Sequence, residues 1–169
     1  KEYAGLDVMA LSDADLAAEV KKTGAEIKGD FIRGLAIDEL FKQLVEDKLV
    51  QPVFITHHPV ETTPLCKPDY DDERFLQRFE LFINGTEIAN AYSESNDPVF
   101  QRTTLYEQSL RRSVDEEAPP MDENFVQAIE TGMPPTGGLG IGIDRVVMLL
   151  TGETSIRDVL LFPTMRPQE

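Results

Sequence analysis

The feature that most constrains this fold is the pair Asn84-Gly85, which stands between two apolar-rich runs at residues 76–83 and 86–94. Both residue types tolerate the positive φ angles of a two-residue hairpin turn, so the pattern predicts two antiparallel strands joined by a tight turn. A two-residue turn also fixes the pairing register. Side chains from the two strands can therefore be assigned to a common face of the hairpin.

Two carboxylates lie close together in this register. With Phe82 opposite Glu87 and Glu80 opposite Ala89, Glu80 and Glu87 share one face of the hairpin as diagonal neighbours. Such neighbours are about 7–8 Å apart at the backbone, a span over which two carboxylates can share a divalent ion. Hard oxygen ligands suit Mg²⁺ or Mn²⁺, especially with substrate phosphates completing the shell. The alternative is two solvated residues on the polar side of a hairpin.

The second strand carries another polar set. Asn90, Tyr92 and Glu94 alternate along it and offer an amide, a phenol and a carboxylate, which together can hold a zwitterion with an additional ammonium group. Ordinary polar residues of an edge strand would give the same spacing. Strict alternation puts this set on the face opposite Glu87. If both sets line one pocket, a bulge or sharp twist must fall between Glu87 and Asn90.

A glycine-dotted strand follows at residues 137–143, and Arg145 stands just after it. Glycines leave one side of a strand bare, so that a flat ligand or another backbone can approach closely. Arg145 could stack on a base and reach a phosphate, or simply form a salt bridge. The spacing is not the G-x-G-x-x-G of dinucleotide-binding loops, and no βαβ unit surrounds it, so we reject that interpretation.

The remaining pattern mixes helices and strands without βαβ alternation, which favours an α+β fold with an antiparallel sheet flanked by helices. We divide the chain into a helical segment (residues 1–50) and a sheet-and-helix portion (residues 51–169) that holds the hairpin. Helices are predicted after caps at Ser12 or Asp13, Asp97, Asp122 and Asp144, and another at residues 31–48. Further strands are predicted at residues 53–56 and 159–162.

Composition narrows the classes of function. The net charge of -15 means that bulk electrostatics will not hold a polyanion, so any nucleic-acid contact must be local. Cys66 is the only cysteine, so no internal disulfide can form, as is usual in a reducing cytoplasm. No apolar run is long enough to span a bilayer, and no signal peptide opens the chain. The start at Lys1 suggests a fragment boundary.

Several segments together resemble one family. Gly-Leu-Gly-Ile-Gly-Ile-Asp-Arg at residues 138–145 resembles the third signature motif of class II aminoacyl-tRNA synthetases. The hairpin at residues 79–94 is similar to that of the lysine-specific branch, as are residues 54–61, 64–67 and 155–167. The resemblance covers nearly the whole chain, whereas the third motif alone would indicate only the class.

The resemblance implies roles for individual residues. Glu80 and Glu87 match the carboxylates that bind Mg²⁺ with ATP, and Arg145 matches the arginine that packs on adenine and contacts the γ-phosphate. The implied ATP contacts are completed by Ile88. Lysine binding is implied for Asn90, Tyr92, Glu94 and Gly140, with Glu94 facing the side-chain ammonium.

By the same resemblance, the chain is expected to be the carboxyl-terminal part of the catalytic domain of a cytoplasmic, homodimeric enzyme. That enzyme activates lysine with ATP and transfers it to tRNA(Lys). The first and second class motifs and the anticodon-binding barrel do not occur in this sequence, so the isolated chain is expected to be inactive. The alternatives are the related ligase that lysylates elongation factor P, aspartyl or asparaginyl enzymes with another pocket, and a non-enzymatic interaction fragment.

Overall fold

The computed structural model describes residues 1–27, 29–111 and 120–164, and a single antiparallel sheet organises them. Its four strands are β1 (Val53–Thr56), β2 (Arg78–Ile83), β3 (Thr86–Ser93) and β4 (Gly137–Ile141), hydrogen-bonded in the order β1-β2-β3-β4. The predicted α+β class with an antiparallel sheet is confirmed.

The turn between β2 and β3 has the predicted geometry. Asn84 and Gly85 have φ angles of 54° and 69°, both in the left-handed region. The turn is also held from outside, because the Asn84 amide donates to the Val50 carbonyl at 3.0 Å and the Gly85 amide donates to the Leu49 carbonyl at 2.9 Å. Leu49 is fully buried. The tip of the hairpin is therefore anchored on the segment that leads into β1.

Two helices precede the sheet: α1 (Asp13–Lys22) and α2 (Arg33–Leu44). Ser12 caps α1, with its side chain accepting from the Asp15 amide. The two helices pack around a common core of Leu16, Val20, Ala36 and Leu40. The prediction extended α2 to residue 48. Instead the chain tightens into a 3-10 turn at Glu46–Lys48, since it must turn there to meet the hairpin.

Two further helices, α3 (Pro98–Leu110) and α4 (Glu123–Glu130), pack on each other. Asp97 caps α3 and Asp122 caps α4, both as predicted. Arg102 joins the two helices through ion pairs with Glu123 and Glu130. From the sequence, the helix after Asp97 is predicted to run to about residue 114, a position outside the described residues.

The last helix is α5 (Ile143–Thr151), which begins directly after β4. The prediction that Asp144 caps this helix is wrong, because Gly142 occupies the cap position and Asp144 lies in the first turn. Beyond α5, the predicted strand at residues 159–162 is also wrong. This segment follows a 3-10 turn at Ile156–Asp158, and no described strand pairs with it. Among the described helices, none combines the length and apolarity needed to cross a membrane.

The two faces of the sheet differ in chemistry. Ile55, Glu80, Asn90 and Gly140 form one cross-strand row, which gives a polar face. The opposite face is apolar, with Phe54, Leu139 and Ile141 exposed among its members. The candidate site therefore lies on the polar face.

Candidate active site on the polar face of the sheet

A β-bulge in β3 brings the polar residues onto one face. Phe82 pairs with Glu87, but Leu81 pairs with Ala89, so Ile88 is an extra residue in β3. The bulge falls between Glu87 and Asn90, where the sequence required one. It also corrects the predicted register, because Glu80 lies opposite Asn90 and not opposite Ala89. The register was predicted without the added residue.

The carboxylates share an open cavity of about 440 Å³. Its walls come from the hairpin, from the start of α5 and from one side of α2. The lining residues that carry charge or an amide are Glu80, Glu87, Asn90, Arg78, Arg145, Asp38, Lys42 and Glu46. The structure thus brings the predicted metal-binding pair, Glu80 and Glu87, into one cavity together with Asn90 and Arg145.

Glu80 is the more buried carboxylate of the pair, and its two oxygens have different surroundings. Oε1 accepts from the Arg78 guanidinium and, at 3.3 Å, from the Asn90 amide nitrogen. Oε2 lies 3.9 Å from the His58 ring nitrogen Nε2. Burial raises the pKa of Glu80 above its usual range and Arg78 opposes that rise, while the charge of Glu87 adds to it. Oε2 is therefore the oxygen left for a ligand.

His58 behaves as a neutral group beneath this carboxylate. The ring is 5% exposed, and Nε2 lies 3.2 Å from the Ile55 carbonyl. Burial, with a smaller contribution from the charge of Arg78, lowers the pKa of His58 to about 4. At neutral pH the ring carries no charge, and its contact with Glu80 is not an ion pair.

Glu87 and Arg145 contact each other directly. The Arg145 guanidinium donates to the Glu87 carbonyl at 2.6 Å and lies 3.3 Å from Glu87 Oε2. Both side chains are partly exposed. Next to them, the Ile88 carbonyl accepts from the Gly142 amide at 2.9 Å, which ties the bulge to the start of α5. Arg145 and the backbone of Ile88 therefore lie at the edge of the carboxylate pair.

The other candidate residues extend along β3 away from this pair. Asn90 pairs with Gly140 and Tyr92 with Gly138, so both polar side chains face bare backbone on β4. The Glu94 carboxylate lies directly over Gly138, because a Cβ there would overlap its Oε1. Among the described residues, none donates a hydrogen bond to this carboxylate. Within the described part of the chain, this carboxylate is therefore open to a ligand.

Glu80 and Glu87 suit a metal ion that takes its remaining ligands from water or from a substrate. No group of three or more His, Cys, Asp and Glu side chains able to hold a metal ion occurs within the described ranges. Glu80 and Glu87 supply two carboxylates in one cavity. Mg²⁺ commonly binds through one or two carboxylates and completes its shell with water and phosphate oxygens. The pair fits that arrangement and does not fit a site made only of protein ligands.

Sequence reasoning missed several residues of the site. Arg78 is two positions before Glu80 on the same strand face, so simple alternation could have identified it. The spacing of Asp38, Lys42 and Glu46 puts them on one side of a helix, but nothing local showed that this side faces the hairpin. His58 carried no signal of its own, since its role depends on burial by distant residues.

Comparison with known proteins identifies one family. Residues 8–166 match the family described as tRNA synthetases class II (D, K and N). The chain is 52% identical over 170 residues to a lysine–tRNA ligase of Syntrophomonas wolfei, covering 99% of this chain and 34% of that protein. It is 51% identical over 164 residues to a lysine–tRNA ligase of Saccharolobus solfataricus, covering 96% of this chain and 33% of that protein.

A third relative, a lysine–tRNA ligase of Halalkalibacterium halodurans, is 52% identical over 171 residues, which cover 100% of this chain and 34% of that protein. The chain thus spans about a third of the length of these curated relatives. The family match extends over the sheet, the bulged hairpin and the glycine strand with its following helix. The chain belongs to the class II tRNA synthetase family of the D, K and N type.

Proposed function

We propose that this chain is the carboxyl-terminal part of a lysine–tRNA ligase, which activates lysine with ATP and transfers it to tRNA(Lys). The observation that carries the proposal is the Glu94 carboxylate. It has no described hydrogen-bond donor and lies on the same sheet face as the Glu80 and Glu87 pair. The Glu94 carboxylate can bind the ammonium of a cationic amino acid, and the Glu80 and Glu87 pair can bind a metal ion together with the phosphates of a nucleotide.

The amino-acid end of the site consists of Asn90, Tyr92, Glu94 and the bare strand at Gly140. Glu94 neutralises the side-chain ammonium of lysine, because burying an ammonium without a counter-charge costs several kcal/mol. The amide of Asn90 and the phenol of Tyr92 provide the neighbouring polar contacts. Gly140, which pairs with Asn90, lets the substrate lie close to the backbone of β4.

The nucleotide end consists of Glu80, Glu87, Arg145 and the backbone of Ile88. Glu80 and Glu87 would hold Mg²⁺ together with ATP, and the bound ion would neutralise charge on the phosphates. The Arg145 guanidinium would leave Glu87 to pack on adenine and reach a phosphate. The Arg145 side chain is partly exposed and its guanidinium contacts only Glu87 among the described residues, so it can exchange Glu87 for the nucleotide.

The reaction requires no protein nucleophile. The lysine carboxylate attacks the α-phosphorus of ATP, the bond to the β,γ-phosphates breaks, and lysyl-adenylate and pyrophosphate form. A terminal ribose hydroxyl of the tRNA then takes the lysyl group and releases AMP. The residues described here contribute by positioning the reactants and by fixing charges toward the phosphates.

The remaining partners belong to the same proposal. Because the chain carries a net charge of -15, we assign most tRNA contacts to other parts of a longer, homodimeric protein. We retain the division into a helical segment at residues 1–50 and a sheet-and-helix portion at residues 51–169. We propose a cytoplasmic location, where the buried Cys66 thiol, with its pKa raised by burial to about 11, stays protonated.

The test is amino-acid-dependent pyrophosphate exchange with the intact protein, followed by charging of tRNA(Lys). We expect exchange with lysine and not with aspartate or asparagine. Glu94→Gln should lower kcat/KM for lysine about ten- to hundredfold, with little change in the KM for ATP. Exchange with aspartate or asparagine in place of lysine would overturn the proposal. Lysylation of a protein without charging of tRNA would identify the ligase for elongation factor P instead.

A further inference from the structure

Arg78 contacts residues from both ends of the proposed site. Its guanidinium forms an ion pair with Glu80, and Nε donates to the Asn90 side-chain oxygen at 3.2 Å. The guanidinium carbon lies 5.4 Å from the centre of the Tyr92 ring. A third nitrogen reaches the Thr62 hydroxyl at 3.4 Å. The Arg78 side chain is only 12% exposed and is held by contacts with these four residues.

We propose that Arg78 is a positioning residue for the amino-acid pocket, holding the Asn90 amide and the Tyr92 ring in their binding orientations by anchoring both to Glu80. This inference rests on the proposed function, because it assigns those two residues to lysine. Arg78 itself does not touch the substrate.

The orientation of Asn90 depends on this anchor. Its side-chain oxygen accepts from Arg78 while its nitrogen donates to Glu80 Oε1 at 3.3 Å. The two contacts use opposite ends of the amide, so rotating the amide by 180° would lose both hydrogen bonds. Arg78, which is itself ion-paired with Glu80, holds this arrangement in place. One remaining lone pair and one remaining N–H of Asn90 can then serve a ligand.

The orientation of Tyr92 depends on the same guanidinium. A planar cation over an aromatic face restricts rotation of the ring and covers that face. Tyr92 pairs with Gly138 on β4, the glycine beneath the Glu94 carboxylate. Arg78 therefore acts on the ring that stands between Asn90 and Glu94 along β3. A lysine ammonium bound at Glu94 would pass this ring.

Charge alone predicts the opposite effect, which makes the proposal testable. A fixed cation next to a pocket for a cationic substrate repels that substrate, so neutralising Arg78 should improve lysine binding if its charge is all that matters. If Arg78 acts by positioning, the same substitution weakens lysine binding. Arg78→Lys separates the two effects further, because the new side chain keeps the positive charge but lacks the planar guanidinium that can contact Asn90, Glu80 and Tyr92 together.

The experiment uses the intact protein and pyrophosphate exchange, with lysine and ATP titrated separately. For both Arg78→Met and Arg78→Lys we expect the KM for lysine to rise about tenfold or more. In Arg78→Lys the KM for ATP should stay within about threefold of wild type, whereas Arg78→Met also removes the ion-pair partner of Glu80 and is used only for its effect on lysine. Arg78→Lys should keep the ion pair with Glu80 and most of the thermal stability. Should Arg78→Met fail to fold, Arg78→Lys alone decides the question.

The matched controls are Arg102→Met and Arg102→Lys, which remove an arginine with two carboxylate partners between α3 and α4. Neither should change the KM for lysine. A wild-type KM for lysine in Arg78→Lys, or a lowered one in Arg78→Met, would overturn the inference and leave the proposed function standing. A parallel rise in both KM values in Arg78→Lys would show a merely structural role and would also overturn it. No lysine-dependent exchange in the wild-type protein would refute the proposed function, and this inference with it.

Discussion

Replacing Gly138 with alanine should displace the Glu94 carboxylate without disturbing the sheet. A Cβ at this position would overlap Glu94 Oε1 and lie 2.9 Å from Glu94 Cδ. No backbone atom is among these neighbours, and the φ angle of Gly138 lies outside the left-handed region. The overlap is with the end of a flexible side chain, so we expect Glu94 to rotate away while β4 keeps its conformation.

The magnitude follows from what Glu94 is proposed to hold. A hydrogen bond to a charged group contributes about 1.5–3 kcal/mol, and losing it lowers kcat/KM for lysine by about ten- to hundredfold. The substitution should cost little stability, because alanine in place of glycine at a compatible backbone position is neutral or stabilising by about 0.4–1 kcal/mol. A large loss of lysine activation with an unchanged melting temperature is the expected combination.

The assay is lysine-dependent pyrophosphate exchange in the intact protein, with Gly137→Ala as the control. At Gly137 an added Cβ would meet only the Tyr92 carbonyl, at 3.9 Å, which is an ordinary contact. We expect Gly138→Ala to raise the KM for lysine and Gly137→Ala to leave it unchanged. Equal behaviour of the two variants, or an unchanged KM for lysine in Gly138→Ala, would refute the assignment of Glu94 to the lysine ammonium.

Three other predictions concern different parts of the site. Arg145→Ala, which removes the partner of Glu87, should raise the KM for ATP by about three- to thirtyfold with little effect on lysine, and equal effects on both substrates would indicate a structural role. His58 should make the protein less stable in acid. The pKa of its ring is about 4 in the folded protein against 6.5 in the unfolded chain, so up to about 3 kcal/mol of the free energy of unfolding is lost as the pH falls from 6.5 to 4. Melting temperatures across that range should show this loss in the wild type and a smaller one in His58→Gln. Gly34→Ala should cost about 1–3 kcal/mol, because the new Cβ would lie 2.7 Å from Pro59 Cβ, and an unchanged melting temperature would contradict this packing.

Features set by neighbouring residues could be predicted from the sequence. The Asn84-Gly85 turn and the caps at Asp97 and Asp122 depend only on local backbone preferences, and all three are present. The cap assigned to Asp144 was wrong because β4 ends at Ile141 and Gly142 takes the cap position two residues earlier, so that the helix begins sooner. Local signals identified this helix correctly and missed only its first two residues, Ile143 and Asp144.

Features that depend on distant contacts were harder to predict. Residues 159–162 have the composition of a strand, but a strand also needs a partner, and no described one pairs with them. Glu80 was placed opposite Ala89 because the turn was counted outward without the extra residue at Ile88. The buried neutral state of His58 depends on long-range packing, for which its neighbours in the sequence give no signal.

The bulge at Ile88 decides which face of the sheet the residues after it point to. Along an unbroken strand, positions separated by an odd number of residues point in opposite directions, and Glu87 and Asn90 are three apart. Because Ile88 is bulged out of the pairing, Glu87 and Asn90 are only two steps apart along the ladder, and both side chains reach the same cavity. Regular pairing of Ile88 opposite Leu81 would turn Asn90, Tyr92 and Glu94 together to the far side, whereas deleting Ile88 would leave Glu87 and Asn90 two residues apart on one face. The bulge thus keeps the carboxylate pair and the proposed amino-acid pocket on one face although an additional residue lies between them.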